Sequence, residues 1–146
     1  MKTRTLALII TLLGLGLGKS AAGEKVWVGL YVAENTPPPP GATLAPVALG
    51  QRLRTVFGFS HYALVKEQQI ELTHEWEQWA VPRKDFFIRV VPLPRQPGGP
   101  RFIDYEIYKD GFSVANGRYQ PSPGQPLFIS GPDYMHGRLV FVLESR

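Results

Sequence analysis

From Phe59 to the last residue, short runs of alternating apolar and polar residues are separated by clusters of proline and glycine, and this pattern restricts the fold more than any other feature. In FFIRVVPL, Phe86 to Leu93, Phe86, Ile88 and Val90 alternate with Phe87, Arg89 and Val91. A period of two places such sets on opposite faces of a β-strand. Ile103, Tyr105 and Ile107 likewise alternate with Asp104, Glu106 and Tyr108, and Asp110-Gly111 follows before a second strand-like run. Asp-Gly tolerates the positive φ of a tight hairpin, so this is the clearest hairpin signal in the chain. HYALVKEQ, QIELTH, PLFIS and GRLVFVLES read as further strands, with PLPRQPGGP, QPSPGQP and GPDYMHG as the loops between elements.

Upstream, Val26 to Glu34 reads as a first strand with Trp27 and Tyr31 on one face. Residues 36–41 contain four consecutive prolines and form a stiff connector, because proline lacks the amide donor and favours an extended conformation. One helix is predicted near residues 46–57. Pro46 suits its first turn, Leu49, Leu53, Val56 and Phe57 share a face, and Gly58 is a natural stop. The expected fold is mainly β, of α+β type. It is an antiparallel β-sandwich-like arrangement or curved sheet of about 7–9 strands, with the short helix packed on one side or end.

The N-terminus raises a separate question, since Gly18-Lys19-Ser20 resembles the end of a phosphate-binding loop. That motif requires glycine at position 13, where Leu13 stands, and a strand and a helix on either side. An export signal fits better: Lys2 and Arg4 precede an uncharged apolar run of 13 residues, Leu6 to Gly18, and small residues follow at Ala21, Ala22 and Gly23. Residues 1–22 are therefore expected to be a cleaved signal peptide, too short in its apolar part to span a bilayer. Residues 23–146 are expected to form a single β-rich extracytoplasmic domain, periplasmic or secreted, with no membrane span once the signal is removed.

Charge then narrows the partners. The formal charge is +4, but Lys2, Arg4 and Lys19 leave with the signal, taking 16 basic residues to 13 against 12 acidic ones. The basic residues are scattered, which removes the electrostatic argument for nucleic acid and for an anionic membrane surface. The chain has no cysteine. Disulfides, thiol catalysis and cysteine-ligated metals are thereby excluded, and a small exported domain without disulfides suits a bacterial envelope.

The catalytic templates fit poorly. His74-Glu75-Trp76-Glu77-Gln78-Trp79 lacks the second histidine of a zinc-protease helix. His61, His74 and His136 match no metal spacing, and neither a metal nor another cofactor is expected. Gly58-Phe59-Ser60 and Gly111-Phe112-Ser113 lack the closing glycine of a nucleophile elbow. Asp104 and Glu106 could serve as sugar-cleaving carboxylates. As same-face neighbours on a strand, with Lys109 or Arg118 opposite, they read more simply as a surface pattern.

Two binding features remain. Trp76 and Trp79, joined by His74 and Trp27, could form an aromatic ligand surface for carbohydrate. Tyr134, Met135 and His136, bracketed by Gly131 and Gly137, could form the tip of a partner-contacting loop. The expectation is a non-catalytic protein–protein interaction, assembly or scaffold module of the bacterial envelope, acting on an envelope protein partner. The alternative is a carbohydrate- or small-ligand-binding domain using Trp76 and Trp79, and a small hydrolase ranks last.

Overall fold

The computed structural model describes residues 24–73 and 75–146, so residues 1–23, including the expected signal peptide, and His74 lie outside the described residues. The described residues form eight strands and one helix in the order β1 (Lys25–Glu34), α1 (Val47–Phe57), β2 (His61–Glu71), β3 (Gln78–Arg83), β4 (Phe86–Pro92), β5 (Ile103–Lys109), β6 (Phe112–Tyr119), β7 (Leu127–Tyr134) and β8 (Gly137–Ser145). They form two four-stranded antiparallel sheets, β2-β1-β8-β7 and β3-β4-β5-β6. The mainly-β, sandwich-like expectation is thus met. Among the described residues no helix is long and apolar enough to cross a membrane.

Three layers result. The β2-β1-β8-β7 sheet lies in the middle, with the other sheet packed on one face and α1 on the other; we call the two the central and outer sheets. The central strands β1 and β8 are buried on both faces and consequently read as nearly unbroken apolar runs rather than alternating ones. On the outer-sheet side, Val26, Val28, Leu30, Val32, Leu139, Phe141 and Leu143 meet Phe86, Ile88, Val90, Ile103 and Ile107. Phe86 and Phe141 stack across this core with centroids 5.0 Å apart.

On the helix side, Trp27, Tyr31, Val140 and Val142 meet Leu49 and Leu53 of α1. Trp27 crosses Gly29, where an added Cβ would stand 2.2 Å from the indole. The indole N–H donates to Glu67 at 2.7 Å, and the Arg146 guanidinium lies 4.1 Å from the ring centroid. Trp27 is 3% exposed, so its role is in the core and it offers no platform to a ligand.

The structure alters three further expectations. The helix begins at Val47, with Pro46 as the N-cap in extended conformation, and closes on Gly58 in the left-handed region. Its buried face is narrower than expected: Leu49 and Leu53 are buried, whereas Val56 is exposed. HYALVKEQ and the first three residues of QIELTH, Gln69 to Glu71, form one strand, β2, which follows β1 along its whole length with a bulge at Leu30/Tyr31. GPDYMHG is not a long loop. β7 continues through Tyr134, and only Met135 and His136 turn the chain into β8. The apolar edge of Tyr134 packs on the core and Arg83 lies 4.8 Å over its ring, which holds the residue in the strand. The Asp110-Gly111 hairpin appears as expected, with both residues at positive φ.

Candidate functional site

The outward face of the outer sheet carries the site. Its strands alternate, so Phe86, Ile88 and Val90 enter the core while Phe87, Arg89 and Val91 point away from it. The register aligns these residues in rows across the sheet. Phe87 pairs with Tyr108, and Tyr108 with Ser113. Trp79, Arg89, Glu106 and Asn116 form the next row, and Val91, Asp104 and Arg118 the one after.

The first two rows create an aromatic cluster. Phe87 and Tyr108 stack at 5.3 Å with their planes 13° apart, while Trp79 is tilted against them at 5.6 and 5.7 Å. Such pairs hold each other by more than area burial alone. Among the described residues no further layer covers the cluster, and Trp79 is 39% exposed. Phe87 and Tyr108 are half-buried beside it, so the cluster presents a partly exposed aromatic surface.

Beside it lies a lattice of ion pairs. Arg89 bonds to Glu106 at 2.7 Å and to Glu77 at 3.3 Å. Tyr108 donates its hydroxyl to Glu106 at 2.8 Å. Hydrogen bonds from Ser113 first, then from Arg89 and Tyr108, lower the Glu106 pKa to about 2. Arg118 grips Asp104 through both ends of its guanidinium, at 2.8 and 3.2 Å, and this holds the Asp104 carboxyl below its ordinary range. An open depression of about 450 Å³ lies over these groups, lined by Arg89, Val91, Asp104, Glu106, Asn116 and Arg118.

This arrangement bears on the chemistry. A glycosidase acid must retain its proton near neutral pH, which requires a raised carboxyl pKa. Asp104 and Glu106 are displaced in the opposite direction and are committed to arginines. Arg118 is the cross-strand partner that makes Asp104 an ordinary surface pair, as the strand pattern anticipated. Among the described residues, no cluster of three or more His, Asp or Glu side chains could hold a metal ion.

The residues singled out in the sequence therefore separate. Trp79 lies at the edge of the outer sheet within the aromatic cluster. Trp76 lies in the segment between β2 and β3 and is 62% exposed, while His74 is outside the described residues. Tyr134 ends a strand of the central sheet and is half-buried, with Met135 and His136 exposed at the turn. Phe87, Arg89, Tyr108 and Ser113 were not anticipated as members of a site. Their signal was present, since Phe87 and Tyr108 are large aromatics on the polar side of alternating strands, but pairing them with Trp79 requires the register. No protein-family model, curated protein or solved structure matches the chain.

Proposed function

We propose that the chain is a non-catalytic binding module, exported to the bacterial envelope, that engages a protein partner through the outward face of its outer sheet. The observation that carries this reading is the uncovered cluster of Trp79, Phe87 and Tyr108 beside Arg89. Aromatic residues and arginine are the side chains that most often anchor protein interfaces, surrounded by polar groups that contribute little individually. The neighbouring charges compensate each other in fixed pairs, so the face is preorganised and its central anchors are apolar. Export rests on the N-terminal sequence pattern and is part of the proposal.

In-cell crosslinking of the tagged, exported chain, followed by identification of what copurifies, tests the reading. The expected result is one stoichiometric envelope protein that is lost with Trp79→Ala and Phe87→Ala while the circular dichroism of both variants stays native. Recovery of the chain alone, or a partner indifferent to both substitutions, rejects it.

A second reading is favoured by one specific feature, the exposed Trp79 ring next to the depression lined by the Asp104–Arg118 pair. An aromatic face beside fixed hydrogen-bonding groups suits a neutral sugar. Titration with soluble cell-wall glycan fragments separates the two: saturable binding lost with Trp79→Ala would support the carbohydrate reading.

A further inference from the structure

We infer that Pro37 to Pro40 is a recognition ridge, one turn of polyproline helix presented to a groove of tyrosine and tryptophan rings on another protein. The inference goes beyond the aromatic-face reading and does not depend on it, because the two surfaces share no residue. Backbone chemistry fixes the shape of the ridge. Proline holds φ at about −65°, and a residue that precedes proline is driven to extended ψ, which applies to Thr36, Pro37, Pro38 and Pro39. All peptide bonds among the described residues are trans. Ala42 donates its N–H to the Pro39 carbonyl at 3.2 Å and Gly41 has a φ of 85°, which makes a type II turn whose second residue, Pro40, shares the extended ψ. Pro37 and Pro40 therefore stand on one edge of the helix, about 9 Å apart, with Pro38 and Pro39 on the other two.

Burial then separates the edges. Pro38 is half-buried, whereas Pro37, Pro39 and Pro40 are exposed, so two of the three edges are open to a partner. Both ends of the segment are tied down. Before it, the Asn35 side-chain oxygen accepts from the Ser60 amide at 3.0 Å and from its hydroxyl at 3.3 Å. After it, Leu64 donates its N–H to the Thr43 carbonyl at 2.7 Å and Ala45 donates to that of Tyr62 at 2.9 Å. The ridge is thus ordered before it meets anything, and binding does not cost the entropy of ordering a free chain.

The chemistry of the segment selects the occupant. Four consecutive residues without an N–H cannot pair as a β-strand. Between Glu34 and Arg52 there is no charged side chain, which gives neither a polyanion nor a polycation a hold. What the ridge offers is flat apolar ring surface and backbone carbonyls. Aromatic-lined grooves recognise those two features, stacking rings on proline and donating from indole or phenol groups to the carbonyls. The chain's own cluster of Trp79, Phe87 and Tyr108 does not form such a groove. Its rings pack on one another with centroids 5.3, 5.6 and 5.7 Å apart and leave no slot between them for a proline ring. The occupant is therefore a different protein rather than a second copy.

The test titrates the mature chain with two isolated domains whose grooves are built in this way, one of SH3 and one of WW type. Prolines have no amide, so their neighbours Thr36, Gly41 and Ala42 report by NMR, and saturable shifts of these three amides are expected. Pro37→Ala combined with Pro40→Ala is expected to weaken binding about tenfold or more, by removing the anchors of one edge, with the urea midpoint close to that of the wild type. Pro39→Ala, on the other open edge, repeats the measurement if the paired substitution disturbs the fold. Trp79→Ala is expected to leave this binding unchanged, so the aromatic-face reading and the present one fail separately. Amides of Thr36, Gly41 and Ala42 that stay in place with both domains at millimolar concentration overturn the inference, as does binding indifferent to all three exposed prolines. Sedimentation showing self-association that the same substitutions abolish also overturns it, in favour of a second copy.

Discussion

Trp27 and Trp79 both stand on strands, and both lie on the sheet face turned away from the inter-sheet core, yet one is buried and the other open. The difference is the presence of α1. On the central sheet, Leu49 and Leu53 cover the far face and Trp27 becomes part of a second core. On the outer sheet no other layer among the described residues covers the corresponding face, and Trp79 packs against Phe87 and Tyr108. The same kind of side chain therefore stabilises the fold in one layer and is available for binding in the other.

The sharpest way to break the contrast is to remove each indole in turn. Trp27→Ala is expected to cost about 3–5 kcal/mol in urea unfolding, since it empties a buried site on the helix side of the central sheet. Trp79→Ala is expected to cost only about 1 kcal/mol, from lost aromatic contacts at a half-open position. Equal losses would mean that the outer cluster is a stability element and would remove its claim to be a binding surface.

Next in size is Gly29→Val. Its side chain would collide with the Trp27 ring and is expected to cost about 1–3 kcal/mol in the same assay, with the Trp27 emission altered by displacement of the indole. A neutral outcome would show that Trp27 can move aside, and that the helix-side core is looser than its packing implies.

Quenching of fluorescence by a water-soluble agent sharpens the comparison without destabilising anything. Trp27 should be shielded while Trp76 and Trp79 are reached, so Trp27→Phe should raise the quenchable fraction and Trp79→Phe should lower it.

The smallest effect concerns acid. The folded pKa of Glu106, about 2, is below its value in an unfolded chain, near 4.3, so its contribution to stability is complete above the latter. It is lost as the pH falls through that interval toward about 2. Glu106→Gln should remove this part of the acid dependence and lower the neutral-pH midpoint slightly, because the contribution that acid removes in the wild type is then absent at every pH. Ser113→Ala should move the Glu106 carboxyl titration, followed by NMR, back toward the ordinary range. A Glu106 titration already near 4 in the wild type would show that the Ser113, Arg89 and Tyr108 bonds are not formed together in solution.

Much of the architecture was legible from local pattern. Period-two alternation placed Phe86, Ile88 and Val90 on one side of a strand and Phe87, Arg89 and Val91 on the other, and Asp110-Gly111 located a hairpin turn through its tolerance of positive φ. Pro46 and Gly58 bounded the one helix to within a residue, because capping depends on backbone chemistry within a few positions. The strand extents were less legible. β7 runs through Gly131 and Pro132, residues that locally favour a loop, because pairing with β8 and packing of Tyr134 outweigh that preference.

The site depended on contacts distant in sequence. Trp79 meets Tyr108, and Glu106 meets Arg89, only because β3, β4 and β5 adopt one register. By itself the sequence determined which residues could share a strand face, since alternation is a property of neighbouring backbone units. Which of those faces would be covered was decided by where α1 packs and how the two sheets stack. Burial is a property of what lies opposite, and nothing within a single strand records whether Trp27 or Trp79 will meet another layer.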